Sequence, residues 1–467
     1  MRRALRNGRP WRLPILGAVL LCCAVPAAPA SAQPREPLSV GVFARIGQPG
    51  HPEGIAVAPD GTVYVGTDPS PLGARPEGDT PPSKILAYTP GGQLEREYVI
   101  TGQDTSKSYG LIGLTLDRDG LIYAVDHNPP RVITVDPETG AQKDYVQFRD
   151  VPRCLPPVLE SDCSATTGDM PALPDFPVFA PDGTMYVTDA FQALIWRVPR
   201  GGGRAEVWLT DPGLESIFGP NGAQFMPDGR TLLFANTFRS RPGPGERPGG
   251  VLSVPVMPDG SPGPIAQVWE SRTNEGIDGV TIARSGNLYV TAAGSNQIVV
   301  VSPDGRELAR VPETEEQRAA MEVPFNGPAN IVFLGNRALV TNHNFPGHDP
   351  ASWAVLDLFA GEPGLPFFRP SFQSRPARPR MRLTVTPRRT RRGRSVRYRF
   401  RVRALIEGRH RPVRGARIRL AEHRVRSNER GRAAMVVRLH TPGLRRASAT
   451  RKGFRRTVAH VRVLRRH

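Results

Sequence analysis

The chain has 467 residues, 39% of them hydrophobic, which is enough apolar material for two or three packed domains and excludes a peptide or a solvated tail. Its net charge of +19 is divided sharply: residues 1–32 carry five Arg and no acid, residues 33–370 carry 25 basic and 40 acidic residues, and residues 371–467 carry 32 basic and 3 acidic. A split of this kind implies separate modules, and the absence of any apolar run near 20 residues beyond residue 32 excludes a helical membrane protein.

The first zone has five Arg up to Arg12, an apolar stretch from Leu13 to Val25, and Ala30-Ser31-Ala32 as a small-x-small cleavage site. It reads as a secretory signal peptide (1–32) cut before Gln33, placing the mature chain outside the cell, in the periplasm or in the cell envelope. Beyond it only Cys154 and Cys163 remain, nine positions apart; in an exported chain they are expected to form one disulfide closing a surface loop.

Between residues 52 and 342 one pattern recurs: an apolar run, a tight turn, then a second run rich in Tyr and Val. Six copies turn at Gly61, Gly120, Gly183, Gly229, Gly286 and Asn336. Asp-Gly between two β-favouring runs is a strong hairpin signal, because both residues tolerate the positive φ of a tight turn. The spacing leaves room for two more strands per copy, and four-stranded units repeating every ~55 residues predict a six-bladed β-propeller over 33–362.

Eight positions before each turn the copies read Glu53, Ile112, Asp175, Asn221, Asp278 and, in the sixth, Pro328. The bland alternative is that Asp and Asn merely begin strands. In a propeller, however, the first strand of each blade lines the central channel, so this column brings Glu53, Asp175, Asn221 and Asp278 onto one ring. Converging carboxylates are costly without a cation, and oxygen donors without Cys predict a divalent ion, Ca²⁺ first, with Mg²⁺, Mn²⁺ or Zn²⁺ as alternatives. After each hairpin reverses, Asp68, Asp126, His127, Asp189, Asn236, Asn342 and His343 return to the same end. They are candidates for a polar pocket, with Asp126, Asp189, Asn236, Asn342 and His343 expected to contact substrate.

Pro52-Glu53-Gly54, Pro220-Asn221-Gly222 and Asp278-Gly279 with Gly286-Asn287-Leu288-Tyr289-Val290 resemble the gluconolactonase family, to which regucalcin (senescence marker protein) belongs, over roughly residues 45–345. The resemblance implies that Glu53, Asn221 and Asp278 hold a divalent metal, that Asp278 is also the general base, and that the reaction is lactone hydrolysis. Asp175 stands where the family has a further Asn. His127 resembles one member of the His pair of the related paraoxonase-like lactonases, whose other member would fall near Gly110. A cation that polarises the ring carbonyl, with a neighbouring carboxylate taking the proton, suits a lactone or ester. The competing expectation is a non-catalytic propeller of the NHL or sensor type, with a structural metal and a face that binds a partner or glycan. No Gly-x-Ser-x-Gly or His-Glu-x-x-His motif is present.

After a Pro-rich linker (363–380), residues 381–467 alternate Arg with apolar residues, as in Ser395-Val396-Arg397-Tyr398-Arg399-Phe400, which predicts a small basic β-sandwich. Pro412 to Ala416 and Asn428 to Arg432 resemble bacterial immunoglobulin-like or carboxypeptidase-regulatory-like modules of exported proteins. The charge predicts either an anionic cell-envelope polymer as partner, rather than nucleic acid, or an Arg-rich face docked on the acidic propeller, on a chain expected to be a monomer.

Overall fold

The computed structural model describes residues 35–70, 81–154, 162–216, 218–238, 248–372, 379–406, 409–451 and 453–465. The expected signal peptide lies outside them.

Six four-stranded antiparallel sheets form the six blades of a β-propeller. The inner strands are Pro52–Val57, Leu111–Leu116, Pro174–Phe179, Pro220–Phe225, Ile277–Ile282 and Pro328–Leu334. Each touches the inner strands of its two neighbours, the sixth closing back on the first. Packed on both faces, they are buried almost throughout, whereas an outermost strand such as Leu94–Val99 is mostly open to water. The hairpin glycines Gly61, Gly120, Gly183, Gly229 and Gly286 all have positive φ, as the Asp-Gly reading requires. Blade 6 takes its outer strand from the other end of the module: Val40–Arg45 pairs with Ala354–Phe359 and ties the ring shut.

The sixth copy departs from the sequence alignment. Four residues separate the paired Phe333 and Ala338, where five separate Val57 and Val63 in blade 1, and the positive φ falls at Gly335 instead of Asn336. The shorter turn shifts the column by one, so Ala329 stands at the ring position in place of Pro328.

The Pro-rich connector is packed against the propeller. Residues 363–372 run across the end of the channel opposite the ligand column, where Leu365 N donates to Ile282 O (2.8 Å) and Arg369 Nη2 to Val57 O (2.5 Å). Phe367 meets Phe176, Phe368 meets Phe225 and Phe372 meets Phe179. Burial of a Phe ring contributes about 2 kcal/mol, so this strap is held by hydrophobic contact at several blades.

Residues 381–464 form two sheets around a shared core of Tyr398, Phe400, Val402, Ile418, Leu420 and Val461. The strand Ser395–Ile406 alternates exposed and buried residues, which is the two-residue period of the sequence made physical. Its Arg residues stand outward. Cys154 and Cys163 are joined by a disulfide, with Cα atoms 5.0 Å apart. Among the described residues no helix is long and apolar enough to cross a membrane.

Candidate metal centre

Five of the six inner strands skip two residues in the pairing with their partner, at Glu53-Gly54, Asp175-Phe176, Asn221-Gly222, Asp278-Gly279 and Ala329-Asn330, and blade 2 skips one at Ile112. Such a bulge frees the extra residues from the ladder and turns their side chains off the sheet. A threonine on the second strand fills the gap in three blades: Thr188 Oγ1 accepts from Phe176 N (3.0 Å), Thr291 Oγ1 from Gly279 N (2.6 Å) and Thr341 Oγ1 from Asn330 N (2.9 Å). Thr291 also donates to Ala329 O (2.5 Å), and Thr341 to Glu53 O (2.8 Å), linking each blade to the next. The glycines permit the ring to be tight, since a Cβ on Gly222 would lie 2.7 Å from the Gly279 Cα.

The ring residues carry buried acceptors with nothing to accept. Glu53 Oε2, Asp175 Oδ1, Asn221 Oδ1 and Asp278 Oδ1 have no hydrogen-bond partner, and Glu53, Asp175 and Asn221 are 7%, 5% and 6% exposed. Burial, then repulsion from Asp68, Asp278 and Asp175, holds the Glu53 carboxyl well above its usual range. Burial with the charges of Asp278, Asp189 and Asp68 does the same to Asp175, and burial raises Asp278 to about 7. These are hard oxygens, several of them carboxylate, desolvated and unsatisfied. The donor set fits a hard divalent ion.

The returning strands place their residues differently from the sequence expectation. Asp126, Asp189 and Asn342 lie opposite Leu111, Pro174 and Pro328 and spend their side chains inside the blades. Asp189 accepts from Leu173 N, Gln192 N, Gln192 Nε2 and Trp196 Nε1. Asp126 accepts from Gln103 and Arg131, Asn342 binds Asn326 N, Pro324 O and Ser352 O, and Asn236 donates to Phe238 O. These four are loop anchors rather than pocket walls. Strand alternation gives the channel to the next residue in each blade: Asp68, His127, Ala190, Thr237, Ala293 and His343, each donating its backbone N–H to a carbonyl just ahead of the inner strand.

Three of these six can bind a metal, and they sit on neighbouring blades 1, 2 and 6. His343 Nε2 is 3.2 Å from Asp68 Oδ2 and 3.4 Å from Glu53 Oε2; His127 Nε2 is 3.8 Å from Asp68 Oδ1. Ligand atoms of Glu53, Asp68 and His343 lie within 4.8 Å of one another. Burial pushes the Asp68 carboxyl up, but the His343 bond and the charges of His127, His343 and His51 outweigh it and leave it below its usual value. The partner of His127 is therefore Asp68, with His343 on its far side, and not a residue at Gly110. His51 backs the group, its Nδ1 2.9 Å from His343 O and its Nε2 2.8 Å from His348 Nδ1.

Sequence reasoning did not single out Asn330, His51 or the bulge threonines. Asn330 reaches across to donate to Ile112 O (3.1 Å) and keeps an unpartnered buried Oδ1. The available signal for the threonines was the repeated ending of the second strand, Val187-Thr188, Val290-Thr291 and Val340-Thr341.

A cleft of about 380 Å³ opens beside His127, walled by Lys107, Asn128, Pro130, Leu173 and Phe191. Phe191 stacks on Phe218 (5.9 Å), Phe218 meets Phe345 edge-on (6.2 Å), and Phe345 stacks on His343 (5.9 Å), so an aromatic row leads from the cleft to the ligand cluster.

Residues 178–339 match the family described as SMP-30/Gluconolactonase/LRE-like region. That segment contains Asn221 and Asp278 and leaves out Glu53, Asp68, His127, Asp175 and His343. No curated protein matches the chain. Among solved structures, it is similar to virginiamycin B lyase from Staphylococcus aureus (16% identity, 69% of this chain and 99% of that chain, TM-score 0.43). It is likewise similar to a calcium-binding regucalcin from Agrobacterium tumefaciens (17%, 71% and 99%, 0.46) and to a gluconolactonase from Xanthomonas campestris (16%, 69% and 88%, 0.43).

Proposed function

We propose that the protein is a metal-dependent hydrolase that opens a lactone or cyclic ester. The observation that carries this reading is the convergence of four buried, unpartnered oxygens, on Glu53, Asp175, Asn221 and Asp278, at the channel end that also bears the cleft. These four residues would hold a divalent cation, Ca²⁺ by the hardness of the set, and such an ion supplies Lewis acidity toward a carbonyl and acidifies water. Asp278 would serve in two ways, one carboxylate oxygen on the cation and the other taking the proton from the attacking water. Pro130, Leu173 and the Phe191–Phe218–Phe345 row would seat an apolar part of the substrate, with Lys107 and Asn128 at its polar edge. The family match over residues 178–339 supports the reaction class.

The test is hydrolysis of a lactone panel by the full chain, metal-stripped and then restored with Ca²⁺, Mn²⁺ or Zn²⁺. Turnover that depends on metal supports the proposal. Metal-dependent melting with no turnover across the panel favours the non-catalytic binding propeller instead.

Export and a polyanionic partner belong to the same proposal. Across the sandwich strands Arg382 faces Arg403, Arg401 faces Arg432, Arg417 faces Arg426 and Arg419 faces Arg424. Like charges directly opposite one another destabilise a sheet, and an anionic envelope polymer laid on them would relieve that repulsion. Binding of the full chain to anionic glycan or teichoic-type polymer, lost at high salt, tests this; equal binding to a neutral polymer contradicts it.

A further inference from the structure

We infer that the channel holds a second cation, borderline in character such as Zn²⁺, on Asp68, His127 and His343, with Glu53 shared between it and the oxygen site. The inference rests on the proposed oxygen site and extends it.

Geometry is the first argument. Ligand atoms of Glu53, Asp68 and His343, all buried, lie within 4.8 Å of one another. Donor chemistry is the second. The oxygen ligands come from blades 3, 4 and 5 plus Glu53, whereas blades 6, 1 and 2 present two imidazoles and a carboxylate, a mixed nitrogen and oxygen set suited to zinc. Unsatisfied atoms are the third. Asp68 Oδ1 and His127 Nε2 face each other at 3.8 Å, too far for a hydrogen bond, and neither has another hydrogen-bond partner, although Asp68 is 2% and His127 7% exposed. Spacing agrees for three donors, since ligands of one zinc stand roughly 3–3.5 Å apart and His343 Nε2 is 3.2 Å from Asp68 Oδ2 and 3.4 Å from Glu53 Oε2; His127 Nε2, 3.8 Å from Asp68 Oδ1, would close in as the fourth. His51, bonded to the His343 carbonyl and to His348, fixes the strand end that carries His343, as outer residues do around a metal.

This arrangement makes His127 a ligand at the floor of the cleft rather than an acid or base. Were both ions bound, Glu53 would be shared between their two sites, and together they would supply Lewis acidity toward a substrate carbonyl entering past Phe191.

The experiment is elemental analysis of the full chain, stripped with chelator, loaded with Ca²⁺ and Zn²⁺ together and desalted. Wild type is expected to retain one calcium and one zinc. His127→Ala and His343→Ala should lower zinc affinity at least tenfold while calcium stays, and Asn221→Ala should do the reverse. Should the histidine variants fail to fold, Co²⁺ loaded into wild type decides: visible bands of a nitrogen-ligated, low-symmetry site support the second ion, and the spectrum of an all-oxygen site overturns it. Calcium retained with no zinc overturns the second site alone; neither metal retained by folded protein overturns the hydrolase reading as well.

Discussion

Asp175 and Asp189 lie at the same end of one hairpin, both buried, yet they live in opposite circumstances. Asp189 collects four donors, two of them backbone N–H groups, and anchors the loop that carries Gln192. Asp175 sits on the bulge, with Oδ1 unpartnered and three other carboxylates as neighbours. A buried carboxylate surrounded by donors is a structural part; one surrounded by carboxylates is a candidate cation ligand. Asp68 in blade 1 is a third case, a buried carboxylate held below its usual range by the imidazoles of His343, His127 and His51.

Substitution should break the two kinds apart. Asp278→Ala is expected to lower lactone turnover by about a thousandfold or more, and to abolish calcium binding, in a protein that still folds, read by kinetics beside circular dichroism. Asp189→Ala should do the opposite: it strands four donors and costs about 3–5 kcal/mol of stability by denaturant melting, while any protein that folds still takes up calcium. Asp175→Asn removes a repelled charge, so the metal-free protein should gain about 1–2 kcal/mol while calcium affinity falls roughly tenfold. Thr291→Val tests the bulge, with loss of the bonds to Gly279 N and Ala329 O expected to cost about 1–2 kcal/mol and to weaken calcium binding.

Asp117 is an intermediate case that sharpens the comparison. It accepts from Leu121 N (2.9 Å) but is 1% exposed, and burial raises its carboxyl from 3.8 to about 6. With the folded value above the unfolded one, its contribution is complete below about pH 4 and is lost as pH rises through 6, an effect on the order of 2 kcal/mol. Asp117→Asn should flatten the decline in melting temperature across that window; an unchanged slope would show that another group causes it.

The propeller was legible because its hairpins are local: Asp-Gly turns and period-two strands announce themselves within a dozen residues. The first ring was legible for a related reason, since one alignment on the turn carries Glu53, Asp175, Asn221 and Asp278 to equivalent positions. The alignment failed where the sixth turn lost a residue, and Pro328 was read in place of Ala329. The second ring was read one residue early in blades 3 and 4, and in blades 2 and 6 the inward His127 and His343 were taken together with their outward neighbours. Asp126, Asp189, Asn236 and Asn342 and their successors differ only in which face of the strand they occupy, and the bulge that sets that face leaves no mark in composition. The closing strand Val40–Arg45 and the Phe367, Phe368 and Phe372 strap depend on pairings hundreds of residues apart, which no local pattern encodes.

The central claim is that the inner-ring oxygens are cation ligands, and calorimetric titration of the metal-stripped full chain with Ca²⁺ tests it most directly. Saturable binding near one equivalent, present in Thr188→Ser and absent in Asp278→Ala, is the predicted result; folded wild-type protein that gives no heat of binding and no change in melting temperature would contradict it.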